Sequence, residues 1–231
     1  MTIDHNVQQV LRQINEAALS VGRDPSGVRL VAVTKSVDVQ QMHELLVAGQ
    51  HRLAENRPQI LRDKIKHFDK GQVEWHYIGR LQKNKVKYVY PIASLVHSVD
   101  SVDLLEEFCK WSQKTGRRCP CLLEVHISGE SSKNGFSPDE ILSVIESYRN
   151  NVGLDIQGMM GMGPFVDDDE VVRSSFRLLA DLFRESRHLE GAAYVASELS
   201  MGMTDDFAIA IQEGATLVRI GRALFRKEDS P

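Results

Sequence analysis

An eightfold alternation between short apolar runs and stretches of helical periodicity constrains this chain more than any other feature. The runs are VRLVAVT (28–34), HRLAEN (51–56), EWHYIG (74–79), SLVHSVD (94–100), CLLEVHI (121–127), LDIQGMMG (154–161), YVASELS (194–200) and ATLVRIG (215–221). Several are almost continuously apolar, as expected of strands covered on both faces of a parallel sheet. Between the first two, Val39, Met42, Leu45, Leu46 and Ala48 recur at helical spacing and stop at Gly49, a helix C-terminal signal. Further helices are expected over roughly 58–68, through LQKNKVKYV, through SVDLLEEFCKWSQKTG, and around 170–187, the last as the longest in the chain. Another should start near Ser137-Pro138, with Ser as cap and Pro in the first turn. Val7, Val10, Leu11, Ile14, Ala17 and Ala18 place an amphipathic helix before the first strand.

Strands that alternate with helices imply right-handed crossovers and a parallel sheet. Eight such units in 231 residues fit a closed barrel, slightly below its usual size of roughly 250 residues. The expected fold class is therefore α/β, a single (β/α)8 TIM-type barrel with an N-terminal helix, residues 1–231 forming one domain. An open doubly wound sheet is the rival, but no G-x-G-x-x-G turn follows the first strand. Gly158, Gly161 and Gly163 look like a phosphate loop, yet no helix starts directly after them, and they read as turn chemistry.

The net charge of -4 leaves no electrostatic footprint for nucleic acid or an anionic membrane. Lys83, Lys85 and Lys87 lack interleaved aromatics and read as a solvated face. The N-terminal segment contains no apolar run of signal-peptide or membrane-span length, so a cytoplasmic protein with a metabolite partner is expected. Cys109, Cys119 and Cys121 are too few and too unevenly spaced for a disulfide framework and read as buried thiols. The eight histidines show no ligand spacing, and no metal site is expected. Asp167, Asp168, Asp169 and Glu170 read as the acidic start of a helix.

A barrel carries its active site at the C-terminal ends of its strands, which directs attention to the polar residues there. Lys35 follows the first run. A lysine at the end of a buried strand faces desolvation, which favours the neutral, nucleophilic amine. The alternative is a lysine snorkelling at the rim, and spacing alone leaves the two readings level. Asn56 closes the second run. A second constellation joins ELSMGMTDD (198–206) to VRIG (218–221), the ends of the seventh and eighth strands, where barrels frequently hold phosphate. There Ser200 offers a hydroxyl, and Gly202 and Gly221 permit close backbone approach. Thr204, Asp205 and Asp206 look like a helix start, and Arg219 stands in an apolar strand beside the pocket. This cradle is expected opposite Lys35.

Six motifs in order, VAVTKS around Lys35, AEN (54–56), WHYIGRLQKNK (75–85), SGESSKNGF (128–136), LSMGMTDD (199–206) and VRIG (218–221), resemble the pyridoxal phosphate homeostasis protein family from about residue 7 to 225. The resemblance implies a barrel like the N-terminal domain of alanine racemase, binding pyridoxal 5'-phosphate (PLP) as a Schiff base on Lys35. It implies Ser200 and the backbone at Gly221 and Arg222 around the phosphate, Asn56 near the cofactor, and Arg219 at the ring nitrogen or the phosphate. It further implies a monomeric carrier or buffer of PLP, active in vitamin B6 and amino-acid homeostasis and able to pass the cofactor to PLP-dependent apo-enzymes. A weak amino-acid racemase or other PLP enzyme is the alternative, and a Schiff-base aldolase without PLP is a third. The chain departs from the family pattern at Arg57, where a tyrosine is common, at Gly163-Pro164, and at Arg226 in place of a glycine.

Overall fold

A computed structural model describes residues 2–129 and 134–226. Eight parallel strands follow one another in chain order: β1 (Arg29–Val33), β2 (Arg52–Glu55), β3 (Glu74–Tyr77), β4 (Leu95–Val99), β5 (Cys121–Val125), β6 (Ile156–Gly161), β7 (Tyr194–Ser200) and β8 (Leu217–Ile220). β8 pairs back onto β1, from Arg29 opposite Leu217 to Ala32 opposite Ile220, and the barrel closes. Every predicted strand is present. Most are trimmed by a residue or two at their ends, where the chain turns away and ladder pairing stops.

Closure sorts each strand by parity. Val31, Ala54, Leu95, Leu122, Met160 and Leu217 fill the lumen as one cluster. Their neighbours Leu30, Ala32, Leu53 and Leu123 belong to the larger core between barrel and helices. Both faces are dry, which is why the strands read as apolar runs without a clean alternation.

The helices are α1 (Ile3–Leu19), α2 (Val39–Val47), α3 (Pro58–Lys64), α4 (Val86–Val89), α5 (Val102–Thr115), α6 (Ile141–Tyr148), α7 (Asp169–Glu185) and α8 (Phe207–Gln212). Thr2 caps α1 by accepting from the His5 amide at 3.2 Å. The buried face of α1, including Val7, Val10 and Ile14, packs on α8 and α2. Asn6 donates to the Leu224 and Arg226 carbonyls at 3.1 and 3.0 Å and ties the two ends of the chain together.

Three helix expectations and one turn expectation change. α6 begins at Ile141, after a turn in which Ser137 and Glu140 cap each other's amides at 3.3 and 3.0 Å, so Ser137 serves the turn that feeds the helix. α7 equals α1 in length at 17 residues. LQKNKVKYV supplies only a 3-10 turn at Lys83–Lys85 and the four residues of α4. Gly158 and Gly161 lie within β6 and not in a turn.

All three cysteines are free and buried, and burial pushes the Cys119 thiol up to about 12, so it stays protonated and unreactive at neutral pH. Among the described residues no helix is long and apolar enough to cross a membrane.

Candidate functional site at the C-terminal mouth

Val33 stands opposite Ala54 in the β1–β2 ladder, and Lys35 and Asn56 each follow two residues beyond that pair. Adjacent strands therefore deliver both to the same stretch of rim. Lys35 itself is exposed, in a turn past the strand end. The expected desolvated amine is not what the fold provides, because the chain leaves the sheet at Thr34, which is the last fully buried residue. The Lys35 amine is instead open to a ligand arriving from solvent.

Thr34 is held from below. Its hydroxyl donates to Glu55 Oε1 at 2.7 Å, and Lys64 Nζ, reaching up from α3, donates to the Thr34 carbonyl and to the same Glu55 oxygen, each at 2.7 Å. Glu55 is fully buried, so this is an ion pair inside the fold beneath the turn that carries Lys35.

The β7–β8 segment also changes position. Since β8 pairs with β1, the glycine-bearing loops stand beside the Lys35 strand and not opposite it. Gly202 has φ +90°, and a Cβ there would come within 2.5 Å of the Ala210 Cβ. A Cβ on Gly221 would come within 3.3 Å of the Val33 carbonyl. At both positions a side chain would run into protein, α8 at Gly202 and β1 at Gly221, so the backbone packs closely there. Gly202 also accepts from the Arg219 amide at 3.0 Å. The loop between them is ordered by Asp206, whose carboxylate accepts from the Met203 amide at 2.5 Å just ahead of α8.

Arg219 points into the lumen and is 4% exposed. Its Nη1 donates to Ser200 Oγ at 2.7 Å and its Nη2 to the Gly161 carbonyl at 3.0 Å, which joins β8, β7 and β6. Burial lowers Arg219 to about 10, which leaves it cationic at neutral pH. Ser200 is completely buried and also meets His97 Nδ1 at 2.8 Å. Arg222 is exposed on the rim and paired with Asp205.

Three interior residues escaped the strand-end survey. Glu124 of β5 shares parity with Leu122 and faces the lumen, where burial and Asp100 raise its carboxyl to about 7 against the pull of Arg219 and Arg80. His97 of β4 and His76 of β3 meet through Nε2 and Nδ1 at 2.8 Å. Their signal was a single polar residue inside an otherwise apolar run. Of SGESSKNGF, residues 130–133 lie outside the described residues.

A closed parallel barrel with an open lysine after its first strand and glycine loops beside it defines an alanine-racemase-type barrel. The alanine racemase N-terminal domain family matches residues 2–229 of this chain. The chain is 39% identical over 221 residues to the pyridoxal phosphate homeostasis protein of Deinococcus radiodurans, covering 95% of this chain and 99% of that one. It belongs to the pyridoxal phosphate homeostasis protein family. Among solved structures it is similar to a protein of unknown function from Bifidobacterium adolescentis, with TM-score 0.87, 33% identity, and 96% and 94% of the two chains covered. It is also similar to PipY of Synechococcus elongatus, solved with PLP bound, with TM-score 0.78, 28% identity, and 92% and 100% covered.

Proposed function

We propose that this protein binds PLP at the C-terminal mouth, with Lys35 as the point of attachment, and that it carries or buffers the cofactor in vitamin B6 and amino-acid homeostasis. The observation that carries the proposal is the meeting, at the C-terminal end of the barrel, of an accessible Lys35 after β1 and the close-packed glycine backbone of Gly202 after β7 and Gly221 after β8. Bound there, the cofactor supplies an aldehyde for reversible imine formation with an amine. It is retained covalently and can still be released, which suits storage and delivery.

The residues of the chain divide the work. Lys35 Nζ offers the nucleophile, and Asn56 stands beside it on the same rim. The backbone at Gly221 and Arg222, together with Ser200 at the end of β7, belongs to the phosphate side. The cationic Arg219 guanidinium has only donors, so it favours an acceptor ring nitrogen over a protonated one. That disfavours carbanion chemistry and agrees with a carrier. We place the protein in the cytoplasm as a monomeric single domain, with PLP-dependent apo-enzymes as recipients.

Glu124 favours a second reading. A carboxyl held near 7 beside Arg219 is a potential acid-base group, as a weak amino-acid racemase or related PLP enzyme would need. Exchange of α-protons of amino acids in deuterated water separates the two readings, and robust turnover would replace the carrier by the enzyme.

The deciding experiment is borohydride reduction of the PLP-loaded protein followed by peptide mapping. A pyridoxyl group on the Lys35 peptide is expected, and Lys35→Ala should be colourless. Attachment at another lysine, or none, overturns the assignment.

A further inference from the structure

A continuous hydrogen-bonded chain crosses the lumen from the closed end to the mouth. It starts at Glu74, the first residue of β3, whose Oε1 lies 3.1 Å from His76 Nε2. His76 Nδ1 lies 2.8 Å from His97 Nε2, and His97 Nδ1 lies 2.8 Å from Ser200 Oγ. Arg219 Nη1 completes it at 2.7 Å. Both imidazoles and the serine are essentially inaccessible to water, with His76 1% exposed and His97 and Ser200 0%.

The Glu74 end sets the direction of the bonds. An ionised carboxylate can only accept, so His76 donates through Nε2 and, as an imidazole, keeps a lone pair on Nδ1. His76 Nδ1 then accepts from His97 Nε2–H, which leaves His97 Nδ1 as the acceptor for Ser200. The Arg219 end is compatible with this pattern, because arginine can only donate and the Ser200 hydroxyl can accept from it while giving its own proton to His97 Nδ1. Burial, His76 and Arg219 all disfavour a charged His97, and the bond from His76 holds Glu74 below the usual carboxylate range. Arg52 pairs with Glu74 at 2.9 Å and keeps that end anionic. Asp206 and Glu124 are the carboxyls that act on Arg219 from the neighbouring elements.

We propose that Glu74, His76, His97 and Ser200 form a one-directional relay that positions the Arg219 guanidinium at the mouth of the barrel. Its dipoles all run between a fixed anion and a fixed cation, so each bond strengthens the next. Among the described residues the other side-chain hydrogen bond of Arg219 is to the Gly161 carbonyl. Its consequence for cofactor affinity rests on the reading of Arg219 as a PLP contact, whereas the protonation pattern does not.

The first test uses the whole protein labelled with 15N and no added cofactor. His97 should appear as a neutral Nε2–H tautomer at pH 7 to 8, and an Nδ1–H tautomer or an imidazolium there overturns the relay. The second uses His76→Phe, which leaves Ser200 and Arg219 intact. Its Arg219 Nε–H resonance should shift, and PLP affinity should fall about fivefold, the equivalent of one modest hydrogen bond. If His76→Phe does not fold, Glu74→Gln, at the far end of the chain from Arg219, takes its place with the same readouts. An unmoved Arg219 signal in a folded variant refutes positioning. A shifted signal with unchanged PLP affinity keeps the relay and removes Arg219 from the cofactor site.

Discussion

Lys64 Nζ on α3 donates to the Thr34 carbonyl at 2.7 Å, immediately before Lys35 in the chain. The same ammonium pairs with Glu55 Oε1, so one helix residue both counters a buried carboxylate and steadies the turn that presents Lys35.

Removing Lys64 should therefore be expensive. Lys64→Met leaves the fully buried Glu55 carboxylate without its counter-charge, a change that typically costs roughly 3–5 kcal/mol. Urea unfolding should show a loss of that order, and the double variant Glu55→Leu with Lys64→Met should recover much of it. Equal losses for the single and double variants would mean that the pair does not act as a unit.

Arg219→Gln keeps a donor but loses the charge and one arm of the fork. A charge-assisted bond is worth roughly 1.5–3 kcal/mol, so PLP should be retained roughly 10- to 100-fold less tightly by a folded variant. Equilibrium titration followed by absorbance measures it. Unchanged affinity removes Arg219 from the site.

Gly202→Ala tests the cradle. The residue sits at φ +90° and its new Cβ would fall 2.5 Å from the Ala210 Cβ and 2.9 Å from the Phe207 Cα. Overpacking and backbone strain together should cost roughly 2–4 kcal/mol, read as a lower urea midpoint. PLP affinity should fall with it, because the proposed phosphate side includes the displaced loop. A folded variant with parental affinity would place the phosphate elsewhere.

Glu124 should make stability fall with rising pH. Its carboxyl titrates near 7 in the fold, raised first by burial and then by Asp100, against an ordinary value of 4.5 in the unfolded chain. Between those values the native state binds more protons than the unfolded state, so stability drops as pH increases. The stabilisation of the protonated form is fully present below 4.5 and is lost by the time pH passes 7, a change of roughly 3 kcal/mol. Glu124→Gln should flatten this slope in urea titrations between pH 5 and 8. Parallel slopes for variant and parent would show that Glu124 titrates as an ordinary carboxylate.

Much of the site was visible before the fold was known, because barrels put function at strand ends and the strands announced themselves. Lys35, Asn56, Ser200, Arg219, Gly221 and Arg222 all lie at or beside the C-terminal ends of β1, β2, β7 and β8. His97 and Glu124 were not legible. They sit inside runs that are apolar on both faces, and the parity that would tell lumen from outer core is lost when both sides are dry. Glu55 reads in the sequence as one polar residue at the end of the second run. Its partner Lys64 looks like any helix lysine until α3 folds back over β2.

The local sequence determined the eight strands, most of the helices and the identity of the rim residues, since β-branched runs, caps and glycine stops act over a few positions. Tertiary structure alone decided the rest. Closure of β8 onto β1 brought the glycine loops beside Lys35, and exit of the chain at Thr34 left that lysine in solvent. The fold also assembled the Glu74–His76–His97–Ser200–Arg219 chain from four different strands. Contacts made through barrel closure join residues far apart in sequence, and no local pattern records them.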